Sequence, residues 1–587
     1  MRWQLAALTG LLLLAVACGG GSMGTSTPVV SFSLSTTASS LKIFQGEAAG
    51  SLIANVARQS GSDVSITLTA SGIPNGATPQ ITSPGTSTSG SISIDPGSAS
   101  AGTYPIRLTA AGGGVQNSVT FSLVIGAVAQ ISAISIQRFQ EAMSTSFQPA
   151  EWDFQFFQNA PAATTPLGNL LPQHIRLQPI SQGVPQVTTT TWNFSVVDAI
   201  TQPVLGLGDN SPEFQIAKGP PFMYTGGDSS STFLDLTFSP FAAYTQNLVR
   251  YYNTGGFTAP DGMHVSPSPH HVTWWGIYNE PNVNNSLTPQ QYVDLYNASV
   301  PAMQAVDPAI KFVALELADF GNEPHTWVPP FVNGVTAHVD VVATHFYSSC
   351  NQKDSDTQLF NTVPGFAADV QFFYQQMATK PALASVPVWV TENNVNADFD
   401  KGGGISACNG TTFTRDNRGS SAFFAAWRPL VFSRLGKVRN QALYHWAFPG
   451  DAQYGEFDDS ANQTRLSYWV DYWLARMFPS PPGADLLDFN STDTADIEVL
   501  PVHNDDGSVV IMISDYAVAN AADNNGTGAP RTVALDLSAL GTFTSASLMT
   551  IDSTTSATTG PTATTVTPAA RMEITLNGYG VAFLKLH

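Results

Sequence analysis

Between Val29 and about Ile125 apolar and polar positions alternate in short runs: VSFSLS, SLIANVA, VSITLTA, GSISI, YPIRLTAAG and SVTFSLVI. Gly, Pro, Asn and Ser separate them. Alternation with period two turns every second side chain toward a core, so residues 29–126 are expected to form a small immunoglobulin-like β-sandwich. From 127 to 482 the pattern changes. Strand-like runs at 133–139, 173–178, 203–207, 272–279, 311–317, 339–347, 386–392 and 441–446 mostly alternate with helical spacing at 232–252, 289–306, 365–377, 420–435 and 465–477. Tyr292, Leu295, Tyr296 and Val300, for example, share one helical face. Eight strands alternating with helices predict a (β/α)8 TIM barrel. A doubly wound sheet is the competitor, but no Gly-rich phosphate loop follows any strand. After Pro482 period two returns at 496–502, 508–514, 532–537, 545–551 and 572–586, so residues 483–587 read as a C-terminal β-sandwich domain. NDDG, residues 504–507, reads as a hairpin turn.

The start of the chain adds a compartment to this picture. Arg2 precedes an apolar segment, 5–16, of signal-peptide length and too short to span a bilayer. AVACG, residues 15–19, resembles a bacterial lipoprotein processing site, which implies a lipid on Cys18 and a signal peptide over 1–18. An ordinary signal peptide cut near Ala17 is the alternative. Residues 19–28 form a Gly/Ser/Thr tether. The chain is expected to be exported, either lipid-anchored to a bacterial membrane or cell surface, or secreted. A formal net charge of −20 over 587 residues disfavours nucleic acid and anionic lipid as partners, leaving lipid anchoring as the membrane contact. With Cys18 lipidated, Cys350 and Cys408 remain, either as a disulfide tying two loops or as two buried thiols.

The candidate chemistry sits at two strand tips. WWGIYNEPN (274–282) runs into Glu280, where Pro281 stops it, and VPVWVTENN (386–394) carries Glu392. Glycosidic bonds are broken between two carboxylic groups, one protonating the leaving oxygen and the other attacking or activating water. In a barrel such groups come from the C-terminal ends of different strands. Either tip alone is a weak signal. Together, at the ends of the fourth and seventh expected strands, they are a specific one. His264, His270 and His271 lack ligand spacing for a metal. No Gly-x-Ser-x-Gly elbow follows an expected strand. Gly402 to Gly404, with Asp398 and Asp400 before them, read as a mobile loop over the cleft, with a calcium site as the alternative.

IYNEPN with its Tyr-rich following helix, then VDVVATHFYS, VWVTENN and YHWAF, resemble a clan A retaining glycoside hydrolase over residues 130–480. Within the clan the resemblance is nearest to family 39, the β-xylosidase and α-L-iduronidase family, while families 5, 30, 51 and 79 share the two glutamates. The second strand departs from family 39, reading HIRLQP instead of Arg-Phe-His. The resemblance implies that Glu280 is the acid/base and Glu392 the nucleophile of a double displacement on oligo- or polysaccharides. It further implies substrate-binding roles for Asn279, Arg176, His345, Tyr347 and Trp446. Asn279 would bind the sugar 2-hydroxyl, Arg176 and Tyr347 would serve Glu392, and Trp446 would stack on a pyranose. Each has a structural counterpart: an ion pair for Arg176, core packing for His345, rim packing for Tyr347 and Trp446. Glu316 has no clan role and is left as a hydroxyl ligand. No cofactor is implied. The competing class is an inactive surface glycan-binding protein on the same scaffold.

Overall fold

A computed structural model describes residues 30–59, 63–147, 160–170, 173–181, 183–207, 212–266, 271–283, 287–319, 321–458 and 460–587. The expected signal peptide, Cys18, the 19–28 tether and His270 lie outside the described residues.

Eight parallel strands close into a barrel: β1 (Ala142–Phe147), β2 (Ile175–Leu177), β3 (Glu213–Ile216), β4 (Trp274–Ile277), β5 (Lys311–Asp319), β6 (Val341–Ser349), β7 (Val388–Asn396) and β8 (Ala442–His445). The ring closes where β8 pairs with β1, Ala442 opposite Ala142. Helices follow each strand in turn: α1 (Thr164–Asn169), α2 (Ser195–Leu205), α3 (Ser239–Asn253), α4 (Pro289–Gln304), α5 (Glu323–Gly334), α6 (Asp356–Met377), α7 (Ala422–Lys437) and α8 (Leu466–Met477). Their starts are written locally. Thr288 with Gln291 and Ser355 with Gln358 form reciprocal capping boxes that satisfy the first free amides of α4 and α6. One end of the barrel is plugged by Trp274, Val313, Val341, Ala343, Trp389, Ala442 and Tyr444. This dry plug leaves the opposite, C-terminal end of the strands for chemistry.

Two expected barrel strands lie elsewhere. Residues 133–139 pair antiparallel with Ala484–Ser491, outside the barrel. Their period-two pattern gives a strand but not its partner, and Ile134 and Ile136 point to solvent. The true β1, AMSTSF, is small and polar and carries no apolar run. Residues 203–207 largely belong to α2, which buries Val197, Ile200, Thr201, Val204 and Leu205 at helical spacing. The third strand is EFQI, whose polar Glu213 and Gln215 hide it from an apolar scan.

Flanking the barrel are mainly antiparallel sheets, with parallel pairing where Ser40–Phe44 and Arg531–Asp536 meet Val115–Phe139. Before it, Phe32–Thr36, Gly50–Arg58, Ser89–Asp95 and Thr78–Thr82 form one sheet. A second group, Ser40–Phe44, Thr67–Ser71, Gly102–Gly112 and the first part of Val115–Phe139, shares an apolar cluster with it. Val115–Phe139 is 25 residues long and continues past residues 126 and 127 to pair with Arg531–Asp536 and Ala484–Ser491. The C-terminal strands pack one face on the barrel through α7, whose residues are buried almost all round. Buried Glu498 seals that contact by accepting from Ser433 Oγ (2.6 Å), Arg434 Nε (2.7 Å) and Lys437 Nζ. The NDDG run is the expected hairpin turn, between Ile497–Asn504 and Val509–Asp515.

Candidate active site

At the C-terminal end of the barrel opens a cleft of about 520 Å³, lined in part by Gln178, Asn279, Glu280, Tyr347, Glu392 and Trp446. Irregular backbone aims its acids. Just after β4 the chain turns left-handed at Tyr278 (φ 71°) and Glu280 (φ 44°), conformations unfavourable for side chains with a Cβ. The turn brings Glu280 to the rim, where its amide donates to the carbonyl of Glu316 (3.1 Å). In β7 a bulge does the aiming. Thr344 and His345 of β6 face Val390 and Glu392, so Thr391 is the extra residue. Trp389 points into the barrel plug and Val390 to the helices. Strict alternation would then send Thr391 inward. The bulge shifts the phase by one and delivers Glu392 instead.

Glu392 is buried and surrounded by donors. Its Oε1 accepts from Arg176 Nη1 (2.6 Å) and Gln178 Nε2 (3.0 Å), and its Oε2 from the Tyr347 hydroxyl (2.9 Å). Burial alone would raise its pKa, but His345 and Arg176, with the Arg176 and Tyr347 hydrogen bonds, outweigh burial and hold it below the ordinary carboxylate range. The group is set to be ionised.

Arg176, fully buried in β2, is the hub. Nη2 donates to Asn279 Oδ1 (2.8 Å) and pairs with Glu316, while Nε lies 3.7 Å from Glu213. Burial lowers its proton affinity; the three glutamates more than reverse that and keep it charged. Glu213 sits deepest. Burial, then the Glu316 charge, pushes its pKa up to about 8. Gly276 of β4 is the small residue this crowding requires: a Cβ there would collide with Glu316 Oε1 and lie 2.9 Å from Glu213 Oε1.

His345 links the two candidate catalytic acids. Nδ1 lies 2.9 Å from Glu280 Oε1 and 3.5 Å from Glu392 Oε2, and Nε2 lies 3.9 Å from Glu316. Burial would lower its pKa, but these carboxylates push it up to about 9. These carboxylates favour the imidazolium, in which Nδ1–H donates to Glu280. One oxygen of Glu280, one of Glu392 and a ring nitrogen of His345 lie within 4.8 Å of one another. Such a trio can ligate a metal, but here both oxygens of Glu392 already accept from Arg176, Gln178 and Tyr347. A second trio, His445, Glu456 and Asp471, is buried behind β8, with the Arg428 guanidinium on Asp471.

All seven expected site residues in the barrel converge. Asn279, Glu280, Arg176, His345, Tyr347 and Glu392 form one network. Trp446 lines the cleft beside them, its indole N–H 3.4 Å from Gln178 Oε1. Glu316 does not reach the cleft as a hydroxyl ligand. A bulge in β5 leaves Leu315 (φ 74°) and Glu316 (φ 45°) left-handed and turns Glu316 inward onto Arg176. Sequence reading missed Gln178 and Glu213. Gln178 was within reach, because two residues beyond Arg176 on a strand is the same face. Cys350 and Cys408 form a disulfide with Cα atoms 5.9 Å apart, joining the loops after β6 and β7.

Residues 265–416, from before β4 to beyond β7, match the family model of the glycosyl hydrolase catalytic core. No curated protein matches the chain. Among solved structures, a GH51 arabinofuranosidase from Xanthomonas axonopodis pv. citri is 12% identical, with 78% of this chain and 99% of that one covered and a TM-score of 0.55. A monomeric β-xylosidase from Caulobacter crescentus is 16% identical, with 78% and 99% covered and a TM-score of 0.54. A GH39 enzyme from Xanthomonas axonopodis pv. citri is 14% identical, with 78% and 97% covered and a TM-score of 0.52. At these identities the structures speak for fold. The glycoside hydrolase assignment comes from the matched catalytic core, and the solved structures share the (β/α)8 fold that carries it. Its fold is shared with the GH51 and GH39 enzymes named above.

Proposed function

We propose that this glycoside hydrolase cleaves O-glycosidic bonds of oligo- or polysaccharides with retention, by double displacement through a covalent glycosyl-enzyme. The carrying observation is the separation of Glu280 and Glu392, with oxygens within 4.8 Å. Retaining enzymes hold their carboxyl groups about 5–5.5 Å apart, whereas inverting ones leave roughly 6.5–9.5 Å for a water. Glu392, ionised by its donors, attacks the anomeric carbon. Glu280 protonates the departing oxygen, and a water it then deprotonates releases the sugar. Ester formation removes the charge on Glu392, and Arg176, Gln178 and Tyr347 recover it in the second step. Across both steps His345 keeps Glu280 oriented through Nδ1–H. Asn279, tethered by Arg176, faces the sugar 2-hydroxyl, where hydrogen bonds strengthen in the transition state. Trp446 offers its indole face to the ring.

The remaining roles are proposals of the same rank. Residues 29–126 are read as an immunoglobulin-like spacer and 483–587 as a β-sandwich. The Cys350–Cys408 disulfide supports export, since such bonds persist in oxidising compartments.

The test begins with aryl β-xyloside, β-glucoside, β-glucuronide and α-arabinofuranoside. NMR of the first product formed should show the substrate's anomeric configuration. Glu392→Gly should lose at least about 10³-fold in kcat, and azide should restore turnover as a glycosyl azide of opposite configuration. A first product of inverted configuration, or near-normal rates in Glu392→Gly, sinks the reading. Glycan binding without turnover on any substrate would favour the inactive-barrel alternative.

A further inference from the structure

Beyond the catalytic network, the cleft is walled by Ala397, Phe399, Ala407 and Cys408 of the segment that follows β7. Phe399 lies in this wall, lining the cleft that holds Glu280 and Glu392, and its side chain is 46% exposed. An aromatic ring left half in water forfeits burial free energy, so its surroundings are informative.

The backbone around Phe399 is held on both sides. Asp398, buried, accepts from Ser406 Oγ (2.8 Å) and the Cys408 amide (3.0 Å). Its amide donates to Asn396 Oδ1 (2.8 Å), and its carbonyl accepts from Gln453 Nε2 and the Tyr454 hydroxyl. The carbonyl of Phe399 itself accepts from Ala407 (2.9 Å). Asp400 then caps the glycine turn, with Oδ1 accepting from the amides of Gly402 (2.8 Å), Gly404 (3.0 Å) and Ile405 (3.1 Å). The disulfide fastens the far end of the segment to Cys350 after β6. The wall expected to be mobile is thus tied at every few residues, and a phenyl ring is what it presents to the cleft.

The second aromatic station is Trp446, which stands edge-on to Tyr454 and beside Gln178 at the Glu392 side. One stacking face next to the nucleophile serves the sugar being cleaved. A further apolar face, on a separate and fixed loop, has the chemistry to take the C–H face of another pyranose or furanose ring. We propose that Phe399 is a binding platform for a second sugar ring, which makes the substrate a chain of at least two residues. This deepens the glycosidase reading and rests on it for its kinetic test.

Phe399→Ala and Phe399→Trp are compared with the wild-type full chain. The substrates are the aryl glycoside that the wild type turns over and oligosaccharides of two to five residues of the same sugar. In Phe399→Ala the ratio of kcat/KM on oligosaccharide to that on aryl glycoside should fall about tenfold, mainly through KM, a size typical of one aromatic contact. Phe399→Trp should keep the ratio within about threefold. Titration calorimetry with xylo-, gluco- and arabino-oligosaccharides of the same lengths, with Glu392→Gln added to each protein to stop hydrolysis, reads the platform without turnover. Weaker binding to Phe399→Ala by about tenfold supports the proposal even if product configuration contradicts retention. An unchanged ratio, or unchanged binding of every oligosaccharide, overturns the platform while leaving the assignment of Glu280 and Glu392 intact.

Discussion

Arg176 and Arg428 are both fully buried, and adjacent residues of β7 are tied to them. Arg428, in α7, lays Nε and Nη2 on the two oxygens of Asp471 at 3.0 Å each and gives Nη1 to the Asn393 side-chain carbonyl. One guanidinium meets one carboxylate in a matched fork, with His445 Nδ1 3.3 Å from the same carboxylate. Arg176 is shared among Glu392, Glu316 and Glu213, with Asn279 as a fourth claimant. A matched pair holds α7 against β7 and α8. An over-subscribed cation cannot neutralise three carboxylates, and the network answers by holding a proton on Glu213 and favouring the charged form of His345. Asn393 faces the scaffold arginine and Glu392 the site arginine, so one strand carries both arrangements on opposite faces.

This contrast can be broken from either side. The largest effect is expected from Arg176→Lys, which keeps the charge but cannot serve Glu392, Glu316 and Asn279 through one planar fork. kcat/KM should fall roughly 10²–10³-fold with the fold intact by circular dichroism. Near wild-type rates would mean the fork is dispensable. Arg428→Met should act on stability. Removing one partner of a buried pair costs about 3–5 kcal/mol, read by urea unfolding, while the kcat of still-folded protein changes less than Arg176→Lys changes it. An unmoved midpoint would remove Arg428 as a scaffold pin.

The smallest effect sharpens the deep end of the Arg176 network. Glu213 has a folded-state pKa raised to about 8 by burial and by Glu316. Folded protein therefore holds a proton that the unfolded chain has lost above an ordinary carboxylate value of about 4.3. Its contribution to stability is full below that value and is lost as pH rises through about 8. Glu213→Gln should flatten the decline in unfolding free energy between those limits. Identical pH profiles for the two proteins would show that Glu213 is ionised throughout.

Barrel and catalytic pair were legible because both are written in local pattern. IYNEPN and VWVTENN combine an apolar run with a single carboxylate at its tip, and the helices between them have period and caps. What was hidden has a common cause. Glu213 lies in a strand too short and polar to stand out, and Glu316 reaches the interior only because β5 slips by one residue. Bulges are set by how neighbouring strands pack, so no window on one strand reveals them. Glu392 depends on a bulge as well. It was found because its motif named the chemistry, not because alternation placed it inside. The misplaced 133–139 strand teaches the complementary point, that alternation fixes conformation but leaves pairing to distant residues.

That same segment sets a timetable for the chain. Val115–Phe139 emerges from the ribosome with its first half able to pair at once with Gly102–Gly112. Its second half must wait for Ala484–Ser491, with the entire barrel made in between. Through that interval its backbone groups and the exposed Ile134 and Ile136 offer an open edge to any other strand. Assembly is therefore not vectorial: the last hundred or so residues complete a sheet begun before the barrel. A chain stalled or clipped after α8 would carry a finished barrel and an unguarded, aggregation-prone seam.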